Sequence, residues 1–205
     1  MYASSGIARS YGSSISSFFR NLHTVLQRYD DHQVLTDFSL ALHPGITCLM
    51  GASGAGKTTL LRILTGLEMP DLGAVEGLPR RIAMVFQEDR LTESLTVRGN
   101  LRLALGKRYD EAAAQRMLDA LQLPGVLSQG VSSLSGGMKR RVALCRALMY
   151  DADFLVLDEP FKGLDEETKK AVMDVLKAKS AGKTVLLVTH DEDEARYLGA
   201  SVMRL

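Results

Sequence analysis

ITCLMGASGAGKTTLLRIL, residues 46–64, joins an apolar run to a glycine-rich turn and then to a helix-like run. The turn matches the spacing G-x-x-x-x-G-K-[ST] at Gly51, Gly56, Lys57 and Thr58. Glycine lets the backbone curl so that successive N–H groups face inward, and a helix starting near Lys57 adds the positive end of its dipole. The stretch Gly51, Ala52, Ser53, Gly54, Ala55, Gly56, Lys57, Thr58 and Thr59 is therefore read as a cradle for nucleotide phosphates. Lys57 is expected to reach the β- and γ-phosphates and the Thr58 hydroxyl to ligate Mg2+. Kinases, GTPases and helicase-like motors share such a loop, so the rest of the chain must decide among them.

Outward from that loop, strands and helices alternate. ITCLM (46–50), IAMVF (82–86), FLVLD (154–158) and VLLVT (185–189) are short continuous apolar runs, the pattern of strands buried on both faces of a parallel sheet. Phe38, Leu40 and Leu42 alternate with Ser39 and Ala41, as in a half-exposed strand. Helical patterns occupy 57–67, 110–122 and 166–178, the last with Asp165 as N-cap. This alternation predicts an α/β domain with a mostly parallel sheet. Residues 88–133 read as helical without a central strand, and are expected to form an inserted α-helical lobe. The chain divides into a leader over 1–21 and one domain over 22–205. The leader carries Arg9 and Arg20 among many serines and lacks an acidic residue; a poorly ordered segment is expected.

With 205 residues, 46% of them apolar, the chain suffices for one well-buried domain. Its formal charge of +1 gives no strong field, which argues against nucleic acid as a partner. Cys48 and Cys145 lie far apart in apolar surroundings and read as reduced core thiols. No stretch approaches the roughly 18 apolar residues of a membrane span, so a membrane connection must come through another chain.

FLVLDEP (154–160) ends an apolar strand in two carboxylates. At a strand end beside a phosphate site, Asp158 suits Mg2+ and Glu159 suits a general base acting on water. VLLVTH ends a second strand in His190, a candidate for sensing the γ-phosphate. Gln87 closes a third, AMVFQ, where its amide would hold either the attacking water or the metal shell.

LSGGMKRRVALCRALM (134–149) settles the family. It resembles the signature of the ABC (ATP-binding cassette) ATPases, Leu-Ser-Gly-Gly-Gln before a basic, apolar helix, with Met138 where glutamine is usual. Ser135, Gly136 and Gly137 form a second anion-binding helix start. The P-loop, VFQ, LSGG, LVLDEP, GLD (163–165) and the histidine follow one another in the family order, over roughly residues 22–205. The resemblance implies a P-loop NTPase core with a small N-terminal antiparallel β part. It implies Tyr29 stacking on the adenine of ATP, Asp165 at a dimer interface, and a homodimer on ATP binding in which each signature closes over the other subunit's ATP.

The resemblance also implies ATP hydrolysis with Mg2+, integral membrane permease subunits as partners, and a substrate-binding protein in the full complex. It places the chain peripherally at the cytoplasmic face of a bacterial inner membrane. VFQEDRLTESLTVRGNLRLAL (85–105) is similar to the ATPases of importers for nitrate, sulfonates, taurine or pyrimidine precursors. A non-transport cassette ATPase of translation or DNA repair is the alternative. Within EDRLTESLTVRGN (88–100), Leu91, Leu95 and Val97 beside Glu88, Asp89 and Arg90 read either as a docking surface for the permease or as packing inside the helical lobe.

Overall fold

A computed structural model describes residues 20–29 and 32–205. The leader expected over 1–21 thus lies outside the described residues, save Arg20 and Asn21, which open the first strand. The core is a five-stranded sheet of β3 (Gly45–Met50), β5 (Ile82–Val85), β6 (Phe154–Asp158), β7 (Thr184–Val188) and β8 (Ser201–Arg204). Its order is β5-β6-β7-β3-β8, and every neighbouring pair is parallel. The four apolar runs occupy its first four positions. Every residue of β6 and β7 is buried, which accounts for their uninterrupted apolar sequences.

Because successive strand residues face opposite sides, each run feeds two separate cores. Phe154 and Val156 of β6, with Leu186 and Val188 of β7, pack under α1 (Lys57–Leu64) and against Leu35, Leu40 and Leu42. Leu155, Leu157, Val185 and Leu187 pack on the other face. There they meet α4 (Gly136–Met149), α5 (Glu166–Lys179) and α6 (Glu192–Leu198). Cys48 and Cys145 are both free and buried in this second core, and burial pushes both thiols up to about 12. They are core groups rather than a staple.

A smaller sheet covers the α1 face. It is antiparallel, ordered β2-β1-β4, from β1 (Arg20–Tyr29), β2 (His32–Leu42) and β4 (Leu72–Glu76). Residues 88–133 hold α2 (Val97–Leu105), α3 (Glu111–Ala120) and two single turns of 3-10 helix. Thr96 and Asp110 cap α2 and α3 by accepting from Gly99 N–H and Ala113 N–H. Buried Asn100 ties the entry of α2, accepting from Thr92 N–H and donating to the carbonyls of Thr92 and Thr96.

One sequence reading is corrected here. Val97 is fully buried, Leu91 packs against the same core, and Leu95 is half-buried beside Gly99. Val97 serves the core of the lobe and is not the exposed residue that a docking surface would present, while Leu91 and Leu95 each keep part of their surface open. Local pattern could not separate the two readings, because an apolar residue in a loop looks the same whichever way it turns.

The loop from β3 into α1 depends on Gly56, whose φ is +88°. A Cβ there would stand 2.8 Å from Val34 Cγ1 and 3.0 Å from its carbonyl oxygen. Gly56→Ala is expected to cost about 1–2 kcal/mol from the left-handed backbone alone, before any clash. A lowered thermal midpoint by circular dichroism checks this; an unchanged midpoint counts against the loop geometry.

Candidate nucleotide site

Parallel strands place all their C-terminal ends on one edge of the sheet, and ligands of open α/β sheets bind outside that edge. Met50, Val85, Asp158 and Val188 are those ends, so the loops beginning at Gly51, Phe86, Glu159 and Thr189 emerge together. The first three of these loops border a cleft of about 310 Å3. Ser53, Gly54, Gly56, Lys57, Thr58 and Thr59 form one wall, with Val34, Gln87 and Glu159 across from them. Lys57 curls back over the loop, its ammonium donating to the carbonyls of Gly51 at 2.8 Å and Ala52 at 2.7 Å. Gly56 caps α1 without a side-chain bond, which leaves the first-turn N–H groups facing the cleft side.

Asp158 ends β6 and is buried. Burial pushes its carboxyl above the usual range and the Glu159 charge adds to this, while Arg140, Lys57 and Lys162 oppose it. Glu159 has φ +46°, uncommon for a residue with a side chain, and its N–H donates to the Val188 carbonyl at 3.0 Å. Its carboxylate lies between Lys162 Nζ at 3.0 Å and His190 Nδ1 at 3.6 Å. Burial works to raise its pKa, but Lys162 and then His190 outweigh it and hold the carboxyl below its ordinary range.

His190 is largely exposed, and the turn beneath it is built from buried parts. Thr189 Oγ1 donates to Glu194 Oε2 at 2.6 Å and accepts from Asp191 N–H at 3.1 Å. Thr189 N–H donates to the Leu49 carbonyl, which ties this turn to the strand carrying the phosphate loop.

Ser135, Gly136 and Gly137 do not line the cleft. Ser135 caps α4, accepting from Met138 N–H at 3.3 Å. Gly137 lies against the 163–165 turn: a Cβ on it would stand 3.4 Å from the Gly163 carbonyl oxygen and from Leu164 Cδ2. Asp165 caps α5, accepting from Thr168 N–H. Tyr29 is described only in its backbone, opposite His32, and its side chain lies outside the described residues. Sequence reasoning missed Val34 and Lys162. The E-P-F-K spacing at 159–162 held a signal for Lys162, since a tight turn brings residues three apart together.

The chain's donors fit Mg2+ held through a substrate's phosphates. Thr58 and Gln87 line the cleft and Asp158 ends the neighbouring strand, all offering hard oxygen atoms. Among the described residues no cluster of three or more His, Cys, Asp or Glu forms a self-sufficient metal cage.

The sequence profile of the ABC transporter family matches residues 35–162. An aliphatic sulfonates import ATP-binding protein, SsuB 2 of Pseudomonas syringae pv. tomato, is 42% identical over 175 residues, covering 84% of this chain and 75% of that protein. SsuB 1 of Rhodococcus jostii is 44% identical over 188 residues, covering 87% of this chain and 75% of its own length. Among solved structures, the dimeric bacterial ABC transporter cassette MJ0796 superposes with a TM-score of 0.81 at 28% identity, covering 91% of this chain and 94% of that one. The same cassette in a post-hydrolysis state with ADP and Pi gives a TM-score of 0.80 at the same identity and coverage. The chain belongs to the ABC transporter family and is one of its ATP-hydrolysing cassettes.

The Glu159 surroundings make a sign-definite prediction. A carboxyl with a depressed pKa contributes stability that is present above its unfolded value and lost as pH falls through the folded one. Lys162→Met removes the main cation beside it. Carbon-detected NMR of the Glu159 carboxyl is expected to show titration at higher pH in the variant than in the parent; an unmoved or lowered titration contradicts the geometry.

Proposed function

We propose that this chain binds Mg-ATP in the cleft between the 51–59 loop and Glu159, hydrolyses it as half of a head-to-tail homodimer, and so energises solute import by a separate membrane permease. One observation carries the reading: three strand-end loops bring Lys57, Thr58, Gln87 and Glu159 around one cleft. The sulfonate importers among its relatives support import as the direction, and an aliphatic sulfonate as the class of solute. Among the described residues no helix is long and apolar enough to cross a membrane. The work must therefore reach permease subunits by contact, from a peripheral position at the cytoplasmic face of the inner membrane. A substrate-binding protein completes the assembly on the other side. The longest described helices, α4 and α5, have 14 residues each, which leaves the coiled-coil arms of a non-transport cassette unsupported.

In this reading Lys57 and the loop N–H groups neutralise the β- and γ-phosphates. Tyr29 stacks on the adenine. Thr58, Asp158 and Gln87 are the groups that would hold Mg2+, which when bound spreads the charge developing on the phosphate oxygens. Glu159 takes a proton from the attacking water as its oxygen bonds to the γ-phosphorus and the bond to ADP breaks. Lys162 and His190 keep that carboxylate ionised, and His190 also faces the γ-phosphate side. Ser135, Gly136 and Gly137 do not line this cleft in their own subunit, which suits a role over the nucleotide of a second copy. Closure excludes water and fixes the reacting geometry.

Two substitutions test the assignment. Lys57→Ala is expected to lose tight ATP binding, because it removes the main side-chain charge on the phosphates. Glu159→Gln keeps shape and binding but is expected to slow turnover by roughly 10²–10⁴-fold, the usual weight of a general base. Equilibrium binding of a fluorescent ATP analogue and steady-state phosphate release measure both. Near-normal turnover in either variant overturns the reading.

A further inference from the structure

Arg140, on the signature helix, is the most deeply buried arginine the structure describes, at 8% exposure, and its hydrogen bonds go to the chain just beyond β5. Its guanidinium donates to the carbonyls of Phe86 and Gln87, and its Nε stands 3.2 Å from Asp89 Oδ1. Six residues further along α4, Arg146 donates to the carbonyls of Arg90 at 2.9 Å and Asp89 at 3.1 Å. The helix advances ~9 Å between the two arginines, comparable with the at most ~10 Å that three residues of chain can span. The segment from Phe86 to Arg90 is thus latched along α4 at two points. Arg90, at φ +46°, also lays its guanidinium over the Phe86 ring at 3.5 Å.

A planar fork suits this task and an ammonium does not. Two adjacent carbonyls need donors fixed in one plane, which lysine's single point charge lacks, and Asp89 stands beside the fork as its ion-pair partner. The carbonyls are partly buried and the guanidinium almost wholly so, and separating them would leave that charge without its partners, which couples the segment to the helix. Gln87 is the residue where this matters, because its backbone belongs to the latch while it lines the nucleotide cleft.

We propose that Arg140 is a positioning residue for Gln87, through which the signature helix of each subunit sets the γ-phosphate end of that subunit's own nucleotide site. The inference rests on the reading of the cleft as an ATP site. Ser135 at the start of α4 and Arg140 lie on one rigid helix, little more than a turn apart. A second copy that presses on the Ser135 turn therefore shifts Gln87 in the first. The nucleotide of one subunit is informed of the other through a single buried guanidinium.

The test uses the full chain with Arg140→Met, Arg140→Lys, Gln87→Ala and the Met/Ala double variant. Turnover of Mg-ATP, equilibrium binding of a fluorescent ATP analogue and thermal midpoint are read for each. Arg140→Met is expected to lower kcat by about tenfold while leaving ATP affinity within about twofold, since the phosphate loop is untouched. Arg140→Lys keeps the charge without the fork and is expected to fall between the two; it carries the test if the methionine variant does not fold. The double variant is expected to turn over close to the rate of Gln87→Ala alone, because the latch reaches the cleft through that residue. The Arg140 charge, which also acts on Asp158, is retained in Arg140→Lys, so that variant isolates the fork from the charge. Multiplying losses, an equal fall in affinity and kcat, or full activity in Arg140→Lys overturns the latch while leaving the ATP site standing. Wild-type turnover in Gln87→Ala overturns both the latch and the role given to Gln87.

Discussion

Val188 stands opposite Leu49 on one side and Asp158 on the other, in continuous parallel ladders of β7 with β3 and β6. That register sets the height of everything at the sheet edge. The phosphate loop begins two residues beyond Leu49, Glu159 follows Asp158 directly, and His190 lies two residues beyond Val188. Two backbone bonds lock the level, Glu159 N–H to the Val188 carbonyl and Thr189 N–H to the Leu49 carbonyl. A slip of one residue in β7 would exchange Leu186 and Val188 with Val185 and Leu187 between two differently shaped cores. Packing on both faces therefore holds the chemistry in place, although the residues that pack carry none of it.

Above that edge the charges are arranged in opposition. Asp158 is buried and pushed toward its neutral form, while Glu159 next to it is held ionised by Lys162 and His190. The two adjacent carboxylates thus sit in divergent environments. The positive φ of Glu159 turns its side chain out of the strand direction toward Lys162 and His190.

Much of this was legible because the chemistry uses local sequence. A phosphate loop needs glycines at fixed spacing, and a strand buried on both faces must be apolar throughout. What stayed illegible depends on contacts between distant segments. Strand β4 exposes nearly all its side chains, so LGAVE carries no periodic signal. Val34 meets the phosphate loop only because β2 folds over it. Arg140 looks like one of three basic residues in KRR, and only burial against 86–89 separates it from its neighbours. Val97 was ambiguous for the same reason, and the folded lobe claims it.

The central claim is that the chain's two phosphate-facing surfaces, the cleft beside Lys57 and the helix start at Ser135, belong to different nucleotides and meet only when two copies pair. Sedimentation velocity of the Glu159→Gln chain with and without saturating Mg-ATP tests this most directly. The account predicts a monomer without nucleotide and a homodimer with it, and a return to monomer when Ser135→Arg is added. A Glu159→Gln chain that binds ATP and stays monomeric would contradict it.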